Sequence, residues 1–313
     1  MAAGGETLSY DPMEEAKEFD NSKIGVKGLS ESGITTIPKF FVHPPEVVSN
    51  HKSSTASAGG IPLIDLSDAK SELHRPKIVQ QISDAARTWG FFQLINHGIP
   101  VSKLDETIAA YRAFFDQPTE VKMNHYRREE SHGVLYASNN DLYRSKMATW
   151  HDTLQVWMSP EPAKVEDIPE VCRKEVVEWE VHANMVAETV LGLLCEGLGL
   201  EAEKLKNMGY TKTRAIVGHC YPYCPQPDLT IGLSSHSDYG MVTVLLQNEV
   251  PGLQIKHGDG WVDVIPMHGT LTINVGDTLQ IVSNGEYKSV EHRVLANPLK
   301  EPRISIIEFF NAG

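Results

Sequence analysis

Two histidine–aspartate triplets hold the residues of this sequence most suited to binding a metal ion. Of its 13 histidines, only His236 and His257 have an aspartate two positions later, Asp238 and Asp259. The second triplet lies between two apolar runs and ends in Asp-Gly, a strong hairpin signal that needs no metal. His236 and Asp238 precede a run of strand-forming residues, and side chains two positions apart on an extended segment point to the same side. We therefore expect only the first pair to provide ligands.

A third ligand can come from His292, which lies on a late predicted strand. A closed β-fold can bring that strand back beside His236 and Asp238. Two imidazoles and one carboxylate form the facial triad of non-haem Fe(II) oxygenases, which leaves positions open for a co-substrate and O2. Zinc sites more often use four ligands rich in cysteine, or the helical pattern His-Glu-x-x-His. Neither pattern occurs at these residues, so the sequence favours iron.

Arg303 and Ser305 are a second pair with a spacing of two, on the last apolar run of the chain. An arginine that faces a β-core needs an anionic partner, because an unpaired buried guanidinium is strongly destabilising. A dicarboxylate fits this requirement. 2-Oxoglutarate can chelate iron through its 1-carboxylate and 2-keto oxygens while its distal carboxylate accepts hydrogen bonds from Arg303 and Ser305. The alternative, from these residues alone, is an ordinary surface arginine and serine near a strand end.

The charge of the chain excludes some classes of partner. Its 313 residues include 28 Lys+Arg and 41 Asp+Glu, which gives a formal net charge of −13. An acidic chain without a basic patch repels nucleic acid. The first residues lack the pattern of a secretory signal, and the most apolar stretch is interrupted at Glu196. We therefore expect a cytoplasmic protein that binds neither nucleic acid nor membrane, acts on a small molecule and is a monomer.

The elements that must position these residues fall into three regions. Residues 1–60 are interpreted as an N-terminal extension that ends in a small, polar linker, so that folded sequence begins at Ile61. Residues 61–210 are predicted to form an α/β region packed on the core, with helices at 77–89, 101–115 and 174–198. Residues 211–313 alternate short apolar runs with turn residues. Strands are predicted there at 214–221, 241–247, 252–256, 261–264, 270–273, 278–282, 288–295 and 303–310.

No helical pattern separates these C-terminal runs, which argues against a parallel sheet with crossover helices. The predicted fold class is therefore mainly β with flanking α-helices. Its core is expected to be an antiparallel jelly roll braced by the N-terminal helices.

Seven short motifs follow one another along the chain. They are WGFFQLINHG at 89–98, YPYCPQP at 221–227, HSD at 236–238, GLQ at 252–254, NVGD at 274–277, HRV at 292–294 and RIS at 303–305. In this order and at these spacings they resemble the plant 2-oxoglutarate- and Fe(II)-dependent dioxygenases, over nearly the whole chain. The segments FDNSKIGVKGL at 19–29 and ITTIP at 34–38 resemble the branch of 1-aminocyclopropane-1-carboxylate oxidase homologues.

The resemblance implies a double-stranded β-helix, Fe(II), 2-oxoglutarate and O2 as co-substrates, and ascorbate as reductant. It implies His236, Asp238 and His292 as iron ligands, and Arg303, Ser305 and Tyr221 as partners of the distal carboxylate. Related chains continue past the last strand into helices that cover the mouth of the barrel. The core at 211–313 is accordingly expected to lack those helices.

Two aromatic residues are candidate substrate contacts. Phe309 falls where related enzymes stack an aromatic substrate, although a core position suits a phenylalanine equally well. Tyr136 is the second candidate. His219 stands where the family commonly has asparagine, which bears on how the iron-bound end of 2-oxoglutarate is held.

These features predict a dioxygenase that hydroxylates or otherwise oxidises a small plant specialised metabolite of aromatic, indole or alkaloid type, releasing succinate and CO2. No catalytic residue beyond the metal ligands is expected. Two alternatives stay open. One is a truncated, catalytically weak form that serves in binding or interaction. The other is an ethylene-forming oxidase that uses ascorbate in place of 2-oxoglutarate.

Overall fold

A computed structural model of the protein describes residues 11–48, 60–128, 132–139, 142–143 and 145–313. The helices in these residues are α1 (Pro12–Ser22), α2 (Gly25–Glu31), α3 (Pro45–Val48), α4 (Arg75–Thr88), α5 (Val101–Phe115), α6 (Thr119–Lys122), α7 (Arg173–Gly197), α8 (Lys204–Asn207) and α9 (Asp277–Val282). The strands are β1 (Leu63–Asp65), β2 (Phe91–Ile95), β3 (Val134–Ser138), β4 (Asp152–Ser159), β5 (Thr213–Tyr221), β6 (Ile231–His236), β7 (Val242–Gln247), β8 (Leu253–His257), β9 (Gly260–Asp263), β10 (Leu271–Val275), β11 (His292–Leu295) and β12 (Arg303–Asn311).

The strands form one sheet of eight and one of four. The larger sheet has the order β1-β2-β10-β7-β12-β5-β4-β3, and the smaller sheet has the order β6-β11-β8-β9. The paired strands run antiparallel apart from β1 and β2, which are parallel. From β5 to β12 the chain passes back and forth between the two sheets, as in a jelly roll. The predicted fold class is therefore confirmed.

Helices α5 and α7 cover one face of the larger sheet. Tyr111 and Phe114 of α5 are fully buried and share the main hydrophobic core with Val186 of α7 and with Ile304 and Ile306 of β12. In α7, apolar residues recur every three or four positions, which places them on the helix face that the sheet covers. Among the described residues, none of the helices combines the length and the hydrophobicity that a membrane span requires.

The prediction that folded sequence begins at Ile61 is wrong for residues 12–48. Helices α1 and α2 precede it, and a second hydrophobic core joins Phe19, Val26 and Phe41 to Trp150. Residues from later in the chain, among them Trp150 and Cys224, complete this core, so the segment's own sequence does not reveal it. The predicted linker after residue 48 lies largely outside the described residues.

The predicted strand at 278–282 is a helix, α9. The backbone N–H groups of Asp277 and Thr278 donate to the carbonyl oxygens of Asp238 and Gly240 at 2.7 and 3.0 Å. This loop satisfies the first donors of the helix, which otherwise lack partners inside it. A short apolar run fits either a strand or a helix by periodicity alone, so the tertiary contact decides its conformation.

Candidate metal centre

Strands β6 and β11 bring two histidines side by side. His292, the first residue of β11, is in antiparallel register with His236, the last residue of β6, and their ring centroids are 4.2 Å apart. Asp238 lies two positions after the end of β6, and its Oδ1 is 3.6 Å from Nε2 of each histidine. The structure therefore brings together the three side chains that the sequence analysis identifies as candidate ligands.

Backbone hydrogen bonds orient both imidazole rings. Nδ1 of His236 lies 2.8 Å from the carbonyl oxygen of Ser234, and Nδ1 of His292 lies 3.4 Å from that of Val290. When Nδ1 donates to a carbonyl, Nε2 keeps its lone pair free for a metal. Burial lowers the pKa of His292 to about 4, an effect that His236 adds to and Asp238 opposes. The ring is therefore neutral, which is the form that coordinates metals.

Hydrogen bonds from the described residues hold the carboxylate of Asp238 through its Oδ2. Its Oδ2 accepts hydrogen bonds from Thr243 Oγ1 at 2.6 Å and from Asn274 Nδ2 at 2.7 Å. Its Oδ1 is left facing the two histidines. The sequence marks Asn274 only as part of the NVGD motif and does not mark Thr243, because the role of both residues depends on the register of β7 and β10 beside the loop that carries Asp238.

The spacing of these atoms fits a single metal ion. One nitrogen or oxygen atom from each of the three residues lies within 4.8 Å of the other two. Metal–ligand bonds of about 2.0–2.2 Å place two ligand atoms at most about 4.4 Å apart, and the two 3.6 Å separations from Asp238 Oδ1 satisfy that limit. Two imidazoles and a carboxylate match the donor set of a non-haem Fe(II) centre.

A buried guanidinium faces the same cavity. Arg303, the first residue of β12, is only 1% exposed. Its Nη2 donates to Gln247 Oε1 at 2.6 Å, whereas Nε and Nη1 have no hydrogen-bond partner among the described residues. Its neighbours across and along the sheet include Tyr221, whose ring centroid lies 5.0 Å from Cζ, and the buried Ser305. Unpaired buried donors of this kind fit an incoming carboxylate.

One cavity of about 450 Å³, part of it open to solvent, connects the metal ligands with Arg303. Tyr221 and Ser305 line it at the Arg303 end, and the rings of Phe91 and Phe309 contribute apolar walls. The structure therefore places Phe309 at the cavity, as the sequence analysis expects of a substrate contact.

The structure does not bring Tyr136 to this cavity. The residue is fully buried on β3, and its ring packs edge-on against Phe114 and Tyr126 in the main hydrophobic core. The prediction of Tyr136 as a substrate contact is therefore not supported by its position. An aromatic residue in a short apolar run suits a core position as well as a pocket, and the sequence alone did not separate the two.

His219 adds a neutral imidazole to the cavity wall. Its Nδ1 lies 2.9 Å from Thr153 Oγ1 on β4, and its ring packs edge-on against His151 with centroids 5.0 Å apart. Burial lowers the pKa of His219 well below its usual value, and the nearby His151 and Arg303 lower it further. The ring can therefore offer a hydrogen bond to a bound molecule without adding charge.

Comparison with known proteins agrees with this geometry. Residues 61–174 match the family model described as non-haem dioxygenase in morphine synthesis N-terminal. Residues 212–312 match the model of the 2OG-Fe(II) oxygenase superfamily. A relative from Arabidopsis thaliana, 1-aminocyclopropane-1-carboxylate oxidase homolog 1, is 45% identical over 95% of this chain and 81% of its own length.

The chain belongs to the 2OG-Fe(II) oxygenase superfamily. Within that superfamily it belongs with the plant 1-aminocyclopropane-1-carboxylate oxidase homologues. It is a 2-oxoglutarate-dependent dioxygenase that uses Fe(II) and 2-oxoglutarate.

The solved structures similar to the chain include JOX2 and a dioxygenase for auxin oxidation. JOX2, solved in complex with 2OG, Fe and JA, has a TM-score of 0.80 and 30% identity, and the match covers 92% of this chain and 83% of JOX2. The 2-oxoglutarate complex of dioxygenase for auxin oxidation 1 from Arabidopsis thaliana has a TM-score of 0.66 and 26% identity, covering 81% and 93% of the two chains.

Proposed function

We propose that this dioxygenase hydroxylates or otherwise oxidises a small plant specialised metabolite of aromatic, indole or alkaloid type, releasing succinate and CO2. The observation that carries the proposal is the pairing, in one cavity, of the three converging ligand atoms with the two unpaired donors of Arg303. This pairing suits a molecule that binds a metal at one end and carries a carboxylate at the other.

Separate groups of residues bind the metal and the co-substrate. His236, Asp238 and His292 would hold Fe(II) through two imidazoles and one carboxylate, a donor set typical of non-haem iron oxygenases. Fe(II), when bound, supplies the activation of O2 that couples decarboxylation of 2-oxoglutarate to oxidation of the substrate. Arg303 and Ser305 bind the distal carboxylate of the co-substrate, and Tyr221 contributes its hydroxyl to the same subsite. These groups fix the orientation of 2-oxoglutarate in the cavity.

The proposed substrate class rests on the remaining walls of the cavity. Phe91 and Phe309 present aromatic rings, and Leu233 and Leu245 add aliphatic surface. Such walls suit a flat apolar molecule, which gains from aromatic packing and from removal of its surface from water. The names of the two similar structures, which refer to JA and to auxin oxidation, also point to small plant metabolites. A cytoplasmic location and a monomeric state stay predictions.

The metal ligands can be tested by single substitutions. We expect His236→Ala and Asp238→Ala each to abolish succinate formation from 2-oxoglutarate in the presence of Fe(II) and ascorbate, because two remaining ligands bind iron weakly. His257→Ala is the matched control, since His257 belongs to the other His-x-Asp triplet and lies at the β8–β9 hairpin. Succinate formation that persists in either ligand variant would refute the assignment.

The alternative of an ethylene-forming oxidase is favoured only by the names of the relatives. Turnover that depends on 2-oxoglutarate excludes it. Incubation of the active protein with plant phenolics, indoles and alkaloids, followed by mass spectrometry for a gain of one oxygen, tests the substrate class. If the active protein oxidises no member of these three classes, the aromatic assignment is wrong.

A further inference from the structure

Gln247 fixes the guanidinium of Arg303 from outside the cavity. Its Oε1 accepts a hydrogen bond from Nη2 at 2.6 Å, and its position at the end of β7 is in register with Ser305 of β12. Gln247 does not line the cavity, so it reaches a bound molecule only through Arg303. The bond uses one N–H of Nη2, while Nε and Nη1 have no hydrogen-bond partner among the described residues.

The next residue, Asn248, fixes the backbone on both sides of Arg303. Its side-chain Nδ2 donates to the carbonyl oxygen of Pro302 at 2.9 Å, and its Oδ1 accepts from the N–H of Ile304 at 3.0 Å. Its own N–H donates to the carbonyl oxygen of Ile304 at 3.0 Å. Two consecutive residues therefore hold Arg303 by its side chain and by its backbone.

We propose that Gln247 and Asn248 form a clamp, here called the Gln247–Asn248 clamp, that selects the co-substrate by the length of its carbon chain. This inference rests on the proposed binding of 2-oxoglutarate between the metal and Arg303. A guanidinium held in one place selects the dicarboxylate whose two ends span the distance from the metal to that place. Without the hydrogen bond that Gln247 accepts, the Arg303 side chain can adopt another rotamer and bind the distal carboxylate of a longer dicarboxylate. Gln247 is thus a positioning residue for co-substrate affinity and selectivity.

The test is Gln247→Met, which keeps the length of the side chain but removes its hydrogen-bond acceptor. We expect the KM for 2-oxoglutarate to rise about tenfold, as for loss of one hydrogen bond to a charged group, with kcat little changed. The preference for 2-oxoglutarate over 2-oxoadipate, which is longer by one methylene, should decrease. Calorimetry of 2-oxoglutarate binding to the Mn(II)-loaded protein without O2 gives the affinity independently of turnover.

Gln254→Met is the matched control. Gln254 Oε1 also accepts a hydrogen bond from an arginine, Arg293 Nε at 2.9 Å, but on the smaller sheet, where Arg293 stacks on Trp261. A second variant, Gln247→Glu, keeps the acceptor and adds a charge that competes with the distal carboxylate, so affinity for 2-oxoglutarate should fall further than in Gln247→Met.

The outcomes separate the two proposals. Wild-type protein that binds no 2-oxoglutarate would refute both the proposed function and the clamp. Wild-type binding with unchanged affinity and selectivity in both Gln247 variants would overturn the clamp alone. A loss of affinity equal to that in Gln254→Met would assign the effect to general destabilisation and would also overturn it.

Discussion

At the scale of single residues, the two oxygens of the Asp238 carboxylate have different roles. Its Oδ2 is held by Thr243 and Asn274, while its Oδ1 faces His236 and His292. Partners behind a metal ligand fix its orientation and contribute to metal affinity. Thr243 and Asn274 should therefore affect metal binding without contacting the metal.

We expect Thr243→Val to weaken metal affinity about 10- to 100-fold, since loss of such a partner typically has an effect of this size. Valine keeps the shape of threonine and removes only the donor to Asp238. Titration with Mn(II), followed by electron paramagnetic resonance, measures the affinity without turnover. The control is Thr107→Val, a buried threonine on α5 that donates to the backbone of Lys103. Equal affinities in the two variants would contradict the role of Thr243.

The sequence predicts part of this site and misses the rest for a physical reason. The spacing of two in His236-Ser-Asp238 and Arg303-Ile-Ser305 follows directly from strand geometry, and all four side chains lie at the cavity. Thr243 and Gln247 have no local signal, because each acquires its partner through strand register. Tyr136 shows the opposite error, a residue predicted at the site that lies in the core, because residue type alone does not distinguish a core position from a pocket position.

At the scale of elements, Asp152 docks helix α2 against the barrel. Its Oδ1 and Oδ2 accept the backbone N–H groups of Val26 and Lys27 at 2.8 and 2.9 Å. The preceding Gly25 has φ +70°, and a Cβ atom there would lie 2.7 Å from Asp152 Oδ2, so both the backbone conformation and the close approach favour glycine. One carboxylate at the start of β4 thus satisfies the first donors of the helix.

We expect Asp152→Ala to release this docking and to destabilise the protein by about 1–3 kcal/mol, because the buried N–H of Lys27 loses its acceptor and that of Val26 keeps only the longer bond to Ser138 Oγ at 3.2 Å. Hydrogen–deuterium exchange should accelerate in α1 and α2 more than in β5 and β12. Asp116→Asn serves as control, since Asp116 pairs with the side chain of Lys27 at 2.9 Å and not with the helix backbone. Unchanged exchange in α2 would show that Asp152 does not hold the segment.

The elements that the sequence predicts best are the long amphipathic helices. Helix α5 has the predicted bounds, and α4 and α7 differ from prediction by two residues or fewer at each end. The sequence does not predict strands β3, β4 and β6, because these short segments become strands only by pairing with neighbouring strands in the sheets. Amphipathic periodicity is local information, whereas strand pairing is not.

At the scale of the whole molecule, β12 separates the cavity from the helical layer. Arg303, Ser305 and Phe309 line the cavity on one face of the strand, and Ile304 and Ile306 enter the core under α5 and α7 on the other. The larger sheet also joins β1–β4 to the C-terminal strands. The division at residue 210 stays a prediction, and cooperative unfolding across that position would argue for one folding unit.

The helical side of β12 also contains Glu308, a carboxyl group that is fully buried. Neither of its oxygens has a hydrogen-bond partner among the described residues, and the nearby hydroxyl of Tyr111 has none either. Burial raises the pKa of Glu308 well above its usual value; Glu180 adds to this effect and Arg214 opposes it. The folded state therefore holds Glu308 protonated at a pH at which the unfolded state ionises it.

The sign of the resulting pH dependence follows from proton binding. Because the folded state binds the extra proton, the free energy of unfolding should fall as pH rises from the unfolded pKa towards the raised folded one, by at most about 1.4 kcal/mol per pH unit. Glu308→Gln removes this slope, so its stability relative to wild type should be greater at pH 8 than at pH 5.5. Urea unfolding at both values measures it, with the exposed Glu203→Gln as control. Parallel pH profiles for wild type and Glu308→Gln would mean that Glu308 ionises in the fold as it does in the unfolded chain.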